Sequence, residues 1–77
     1  MVKSLMFDDR YWETVSQIVY AVLGYTNGYE VKHDLILGMF WVVFYDVEKL
    51  PPFEKLVQKQ GIPYTVWDSI PQGGHIL

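Results

Sequence analysis

Residues 35–45 form the longest apolar run in the chain, with the sequence Leu-Ile-Leu-Gly-Met-Phe-Trp-Val-Val-Phe-Tyr. Periodicity does not distinguish helix from strand here, because the run has no polar positions. Its β-branched and aromatic residues favour a strand from Leu35 to Tyr45, and Gly38 predicts a bulge or a close backbone approach inside it. Such a strand has to be covered on both faces. We expect helices on one face and a second layer, such as another protomer, on the other.

The segment before this run carries the signals of a first helix. From Trp12 to Leu23, apolar residues recur with the period of an amphipathic helix, and Asp8 or Asp9 precedes them as a capping residue. The same region is also rich in β-formers, and Asn27-Gly28 is a hairpin signal. Residues 10–25 are therefore predicted to be a helix, with a strand as the alternative.

The segment after the run has the clearest signals of a helix start and a helix end in the chain. Pro51-Pro52 predicts the start of a second helix, and Gly61 predicts its end. Ile62 is placed to close that end through a hydrophobic contact. Asp46 precedes the helix, where a capping role is expected. Further strands are predicted at residues 2–7, 29–33 and 62–67.

The predicted elements follow the order β-α-β-β-α-β, which is the split βαβ, or ferredoxin-like, pattern. We therefore expect an α+β domain with a four-stranded antiparallel sheet and two helices on one face. A β-meander with one helix is the alternative. Residues 1–68 are predicted to form this single domain, and residues 69–77, with one proline and two glycines, a flexible C-terminal tail. The pattern hosts many activities, so it does not determine a function.

Composition excludes several classes of protein. The 77 residues contain no cysteine, which excludes disulfides and thiolate zinc sites. The net charge is −3, and the six basic residues are scattered, whereas a nucleic-acid-binding domain normally carries a basic stripe. The longest apolar run is too short to span a bilayer. The beginning of the chain has no apolar core of a signal peptide, so we expect a cytoplasmic protein without membrane contact.

No pattern in the sequence indicates a catalytic centre. The serines have no nucleophile motif around them, and no glycine-rich loop precedes a helix to hold phosphate. The two histidines, His33 and His75, are far apart in the sequence, whereas a metal site needs several ligands at close spacing. We predict no catalytic residues, no metal and no cofactor. Whether the protein is an enzyme stays open, with a non-enzymatic role favoured.

Part of the apolar run resembles the aromatic consensus strand of RNA-recognition motif (RRM) domains. Gly38, Trp41, Val42 and Phe44 match positions of that consensus, and the order of elements matches as well. The resemblance implies an open sheet on which aromatic side chains stack the bases of single-stranded nucleic acid. Leu37 stands where the consensus has a basic residue, which removes a phosphate contact. Nucleic-acid binding through residues 38–45 is therefore the alternative function.

Aromatic residues make up 17% of the chain, more than one small core needs. Tyrosine and tryptophan dominate binding hot spots, so we expect a protein partner or a homodimer. The leading prediction is a small protein-binding regulator or inhibitor, of the kind that phages and mobile elements encode against host defences. A ferredoxin-like dimer that binds a small ligand or is an enzyme is a second alternative. The predicted partner-binding residues are Tyr29, Met39, Trp41, Tyr45, Tyr64 and Trp67.

Overall fold

A computed structural model describes residues 2–24, 27–71 and 75–76 of the chain. Short 3-10 turns precede both helices, at Asp9–Tyr11 and Val47–Lys49. The helices and strands, in chain order, are β1 (Lys3–Asp8), α1 (Trp12–Val22), β2 (Tyr29–Asp34), β3 (Met39–Phe44), α2 (Leu50–Lys59), β4 (Thr65–Trp67) and β5 (His75–Ile76).

The strands form one sheet in the order β4-β1-β3-β2-β5, in which every neighbouring pair is antiparallel. The α+β class, the β-α-β-β-α-β order and a four-stranded antiparallel sheet with two helices are confirmed. The short strand β5, paired with β2, adds a fifth strand that the four-stranded ferredoxin-like pattern does not have. The alternative of a β-meander with one helix is wrong.

Helix α1 forms because the period of its apolar residues outweighs the local β-propensity. Asp8 precedes the 3-10 turn, and its side chain accepts a hydrogen bond from the backbone N–H of Arg10 at 2.9 Å, as a capping residue does. The helix buries Val15 and Ile18 against the sheet. The strand interpretation of residues 10–25 is wrong for the described part of that segment, since residues 12–22 are helical.

Helix α2 begins and ends where its proline and glycine signals predict. Proline occupies its first turn, where the missing N–H has no helical partner to lose. Gly61 follows the helix with a φ of 70°, a left-handed conformation that favours glycine. Ile62 is buried, and its N–H donates to the carbonyl of Val57 at 3.2 Å, so it closes the helix end. Asp46 caps the preceding 3-10 turn by accepting from the N–H of Glu48.

The main core lies between the two helices and one face of the sheet. Because strand residues alternate between faces, β1 and β3 direct every second side chain toward the helices. These side chains form one buried cluster with both helices, in which Phe53 of α2 contacts the rings of Phe7 and Phe44. The sheet residues of the cluster are Leu5, Phe7, Phe40, Val42 and Phe44.

The apolar run 35–45 is not one strand. Strand β3 begins at Met39, and residues 35–38 form the turn of the β2–β3 hairpin. Gly38 is the last turn residue, with a φ of 69°, so the predicted bulge inside a strand is wrong. The turn forms because Gly38 adopts the left-handed conformation cheaply and the Asp34 side chain binds two backbone N–H groups of the turn.

The second face of the sheet, here called the open face, is partly covered by the chain itself. Residues 68–71, here called the C-terminal strap, follow β4 in the chain and cross the open face toward β2. The hydroxyl of Ser4 donates to the carbonyl of Ser69 at 2.6 Å, and Lys32 Nζ donates to the carbonyl of Pro71 at 2.7 Å. Trp41 and Val43, which point to the open face, are buried, and Trp41 lines a cleft together with residues of the strap. A second protomer is therefore not required to cover this face, and self-association stays a prediction.

Residues 69–77, predicted to be a flexible tail, include parts of the folded structure. Ser69 and Pro71 bind the sheet, and His75–Ile76 form β5 alongside β2. Residues 72–74 and 77 lie outside the described residues. The fold thus continues past the predicted boundary at residue 68, while the flexibility of the segment stays a prediction. No helix in the described ranges is long and apolar enough to cross a bilayer.

Candidate functional site

The three most exposed large aliphatic residues of the described chain lie together at the turn of the β2–β3 hairpin. Leu35, Ile36 and Leu37, here called the hairpin tip, are 72%, 97% and 63% exposed. Single exposed apolar residues are common on protein surfaces, but large apolar side chains in contiguous groups mark sites of interaction. Leu37 also lines a cleft on the open face, so the tip belongs to a larger apolar surface.

The backbone of the hairpin tip is held by several hydrogen bonds. Asp34 Oδ1 accepts from the N–H of Ile36 at 3.1 Å and from that of Leu37 at 3.0 Å. The N–H of Gly38 donates to the carbonyl of Asp34, and the carbonyl of Gly38 accepts from the N–H of Asp9, each at 3.0 Å. A tip fixed in this way loses little conformational entropy when it binds.

A histidine–carboxylate pair joins the base of the hairpin to the start of α1. His33 Nε2 lies 2.6 Å from Asp9 Oδ1, and the imidazole stacks on the indole of Trp12 with ring centroids 4.6 Å apart. Phe40 contacts the imidazole edge-on. The pair fixes the hairpin against α1, because Asp9 also binds Gly38 through its backbone. Sequence reasoning missed this pair, since the two residues are far apart in the chain.

Carboxylates outnumber cations around the hairpin tip. Asp34 lies in the hairpin, Asp8 is paired in register with Met39, and Asp9 binds Gly38. The nearby guanidinium of Arg10 contacts Asp8 at 3.3 Å. The pKa of Asp8 is lowered mainly by the hydrogen bond from the Arg10 backbone, and further by the Arg10 side chain, so the carboxylate is charged at neutral pH. The hairpin tip is therefore apolar at its end and negatively charged at its base.

A cleft of about 610 Å³, here called the open-face cleft, adjoins the hairpin tip. Its floor and walls come from the sheet, the tip and the C-terminal strap. The indole N–H of Trp41 has less than 1 Å² of exposed surface and no hydrogen-bond partner among the described residues. The lining residues are Met6, Leu37, Met39, Trp41, Trp67, Ser69, Ile70 and Pro71.

The structure brings three of the six predicted partner-binding residues together. Met39, Trp41 and Trp67 all line the open-face cleft. Trp67 is partly exposed on the short edge strand β4, whereas Trp41 is 5% exposed beneath the strap. Met39 is half-buried. The prediction selected these residues by type, and their common position on one face follows from the register of β1 with β3 and β4.

The other three predicted residues, all tyrosines, lie away from the cleft. Tyr29 packs against the core and donates from its hydroxyl to the carbonyl of Gly24 at 2.7 Å. Tyr64 packs beside the core and donates to Glu54, and burial followed by this hydrogen bond raises its pKa. Tyr45 is partly exposed and donates to Glu30, which adds to the effect of burial in raising its pKa.

The side chains that match the RRM consensus on β3 are buried, whereas base stacking needs exposed aromatic side chains. Val42 and Phe44, which match the RRM consensus, face the helices and are fully buried. Trp41 points to the other face but lies beneath the strap. Base stacking needs exposed aromatic faces, and the partly exposed Trp67 supplies one outside the matched segment. Of the matched positions, Val42 and Phe44 are therefore used for packing and Gly38 for the hairpin turn, while nucleic-acid binding stays a prediction.

Comparisons with known proteins add no assignment. No protein-family model matches this sequence, and no curated protein or solved structure matches it significantly. Among the described residues, no group of three or more His, Asp or Glu side chains is arranged to hold a metal ion. The hairpin tip and the open-face cleft are the surface features of the described residues that suit binding.

Proposed function

We propose that this chain is a protein-binding domain that inserts its hairpin tip into an apolar pocket of a partner protein and regulates or inhibits that partner by occupying it. The main observation in support is that Ile36 is almost fully exposed on a turn that hydrogen bonds hold in place. Apolar side chains left in water gain free energy when a partner buries them, at about 25 cal/mol per Å².

The charges around the tip favour a protein over a lipid surface or a nucleic acid. An apolar loop that enters a membrane is usually flanked by cations, because cytoplasmic leaflets are anionic. Nucleic-acid phosphates repel carboxylates in the same way. The base of this hairpin carries Asp8, Asp9 and Asp34, of which Asp8 contacts the guanidinium of Arg10 and Asp9 contacts the imidazole of His33. The surface complements an apolar pocket with lysine or arginine at its rim.

Affinity capture from cell lysate with matched variants tests this proposal. Ile36→Asp places a charge at the end of the tip, and we expect it to abolish recovery of the partner. Val47→Asp makes the same kind of change at an exposed residue beyond the opposite end of β3, and recovery should persist. Both variants should retain the circular dichroism of the wild type.

Nuclease treatment and vesicle binding separate the other classes of partner. Recovery that nuclease abolishes, or binding to anionic vesicles that Ile36→Asp removes, would contradict the proposal. Equal recovery of all proteins by the wild type and by Ile36→Asp would contradict it too. The expected result is a nuclease-resistant protein that depends on residue 36 and not on residue 47.

A further inference from the structure

Trp41 lines the open-face cleft, and its indole N–H is a buried hydrogen-bond donor without an acceptor among the described residues. Trp41 is 5% exposed, its Nε1 atom has less than 1 Å² of accessible surface, and no described residue accepts its hydrogen. Buried N–H groups are nearly always paired, because leaving one without an acceptor costs free energy. A ligand that brings an acceptor to this atom recovers that cost.

The walls of the cleft suit an apolar chain segment. Met6 and Met39 supply flexible thioether side chains, which adapt to the shape of what they contact. Trp67 supplies a partly exposed aromatic surface at the sheet edge. Leu37 belongs both to the cleft and to the hairpin tip, so a partner bound at the tip lies next to the cleft opening.

We infer that the open-face cleft binds an extended apolar segment of the same partner protein, an assignment that rests on the proposed function. A backbone carbonyl of that segment accepts the hydrogen bond from Trp41 Nε1. A neutral acceptor fits because a carboxylate is costly to bury among methionine and indole without a cation. The cationic nitrogen of Lys32 already donates to the carbonyl of Pro71.

The C-terminal strap is the part of the wall that yields to admit this carbonyl. Its carbonyls are held by side-chain donors, the hydroxyl of Ser4 and the ammonium of Lys32, and not by a strand ladder. Ile70, between these two attachments, lines the cleft and is 45% exposed. The assignment requires the strap to shift far enough for the carbonyl to reach Trp41 Nε1, which has less than 1 Å² of accessible surface.

Selection of short random peptides by phage display on the wild-type domain tests this assignment. Selected peptides that still bind Ile36→Asp bind away from the end of the hairpin tip, and the two tryptophan variants distinguish the open-face cleft from the cleft that Trp12 lines on the helical side. We expect Trp41→Phe, which keeps an aromatic ring but removes the donor, to weaken their binding about five-fold, the value of one net hydrogen bond. Trp12→Phe makes the same change on the helical side of the sheet, where Trp12 stacks on His33, and should leave binding unchanged.

A nuclear magnetic resonance titration of the wild-type domain with a selected peptide tests the same contact without any substitution in the domain. The indole N–H signal of Trp41, assigned by its absence from Trp41→Phe, should move downfield and exchange more slowly when peptide is added. An unmoved Trp41 signal, equal binding by Trp41→Phe, or no peptide that binds Ile36→Asp would overturn the cleft assignment. Lysate recovery that still depends on residue 36 would then show that the proposed function stands without it.

Discussion

Replacing Asp34 with alanine should destabilise the domain by about 1 kcal/mol, because two N–H groups of the hairpin tip lose their acceptor. A net hydrogen bond is worth about 0.5–1.5 kcal/mol, and the exposed N–H groups of Ile36 and Leu37 can turn to water. Each of the two bonds is therefore expected to contribute about 0.5 kcal/mol, the lower end of that range. Their sum is similar to the stability lost when a helix-capping carboxylate is removed. For a domain of this size the melting temperature should fall by about 4–8 °C per kcal/mol.

Thermal unfolding followed by circular dichroism measures this change, and Asp34→Asn is the control. Asparagine keeps an acceptor oxygen at the same place without the charge, so it should retain most of the stability. In Asp34→Ala the amide hydrogens of residues 36 and 37 should exchange faster, and capture of the partner should weaken because the tip is less ordered. If asparagine destabilises as much as alanine, or alanine changes nothing, the hydrogen-bonded account of the tip is refuted.

Three further predictions concern the core, the strap and a tyrosine. Phe53→Ala should cost about 3–5 kcal/mol in urea unfolding, because Phe53 is fully buried between two aromatic rings; a loss below about 1 kcal/mol would contradict that packing. Truncation after residue 68 should expose Trp41 and shift tryptophan fluorescence to the red, whereas an unshifted spectrum would show that the strap does not cover it. The raised pKa of Tyr64 should make stability fall as pH rises from about 10 through the folded pKa, and Tyr64→Phe should remove that component; an unchanged profile would contradict the Tyr64–Glu54 bond.

Helix α2 was predictable because its signals are local. Proline at the start, Gly61 after the end and Ile62 beyond it each act within a few residues of where they stand. Helix α1 was predictable from its period, although its β-formers left a strand as the alternative. In both helices the pattern of apolar residues determines which side chains enter the core.

The hairpin turn was not predictable from apolar periodicity. Leu35, Ile36 and Leu37 have the composition of a buried strand, so treating residues 35–45 as one unit placed the three most exposed large aliphatic residues in the core. One signal was present: Asp34 lies four residues before Gly38, and an acceptor side chain followed by a left-handed glycine is typical of turns. Apolar composition alone does not report exposure.

The cover of the second sheet face was not predictable because it depends on contacts between distant residues. A segment with proline and glycine resembles a tail, and nothing local shows that Ser4 and Lys32 donate to its carbonyls. The candidate site shares this limit. The residue type alone was enough to select Trp41 and Trp67 as candidate binding residues. Only the sheet register places them with Leu37 around one cleft.

Photo-crosslinking from the hairpin tip is the most direct test of the claim that this surface binds a protein. A photoreactive apolar amino acid replaces Ile36 in one variant and Val47 in another, and both are irradiated in lysate after nuclease treatment. Because Ile36 is 97% exposed, its replacement should change the stability by no more than about 0.5 kcal/mol. We predict one dominant crosslinked protein from position 36 that is absent from position 47 and that excess unlabelled wild-type domain competes away. The same weak, uncompeted products from both positions would contradict the account.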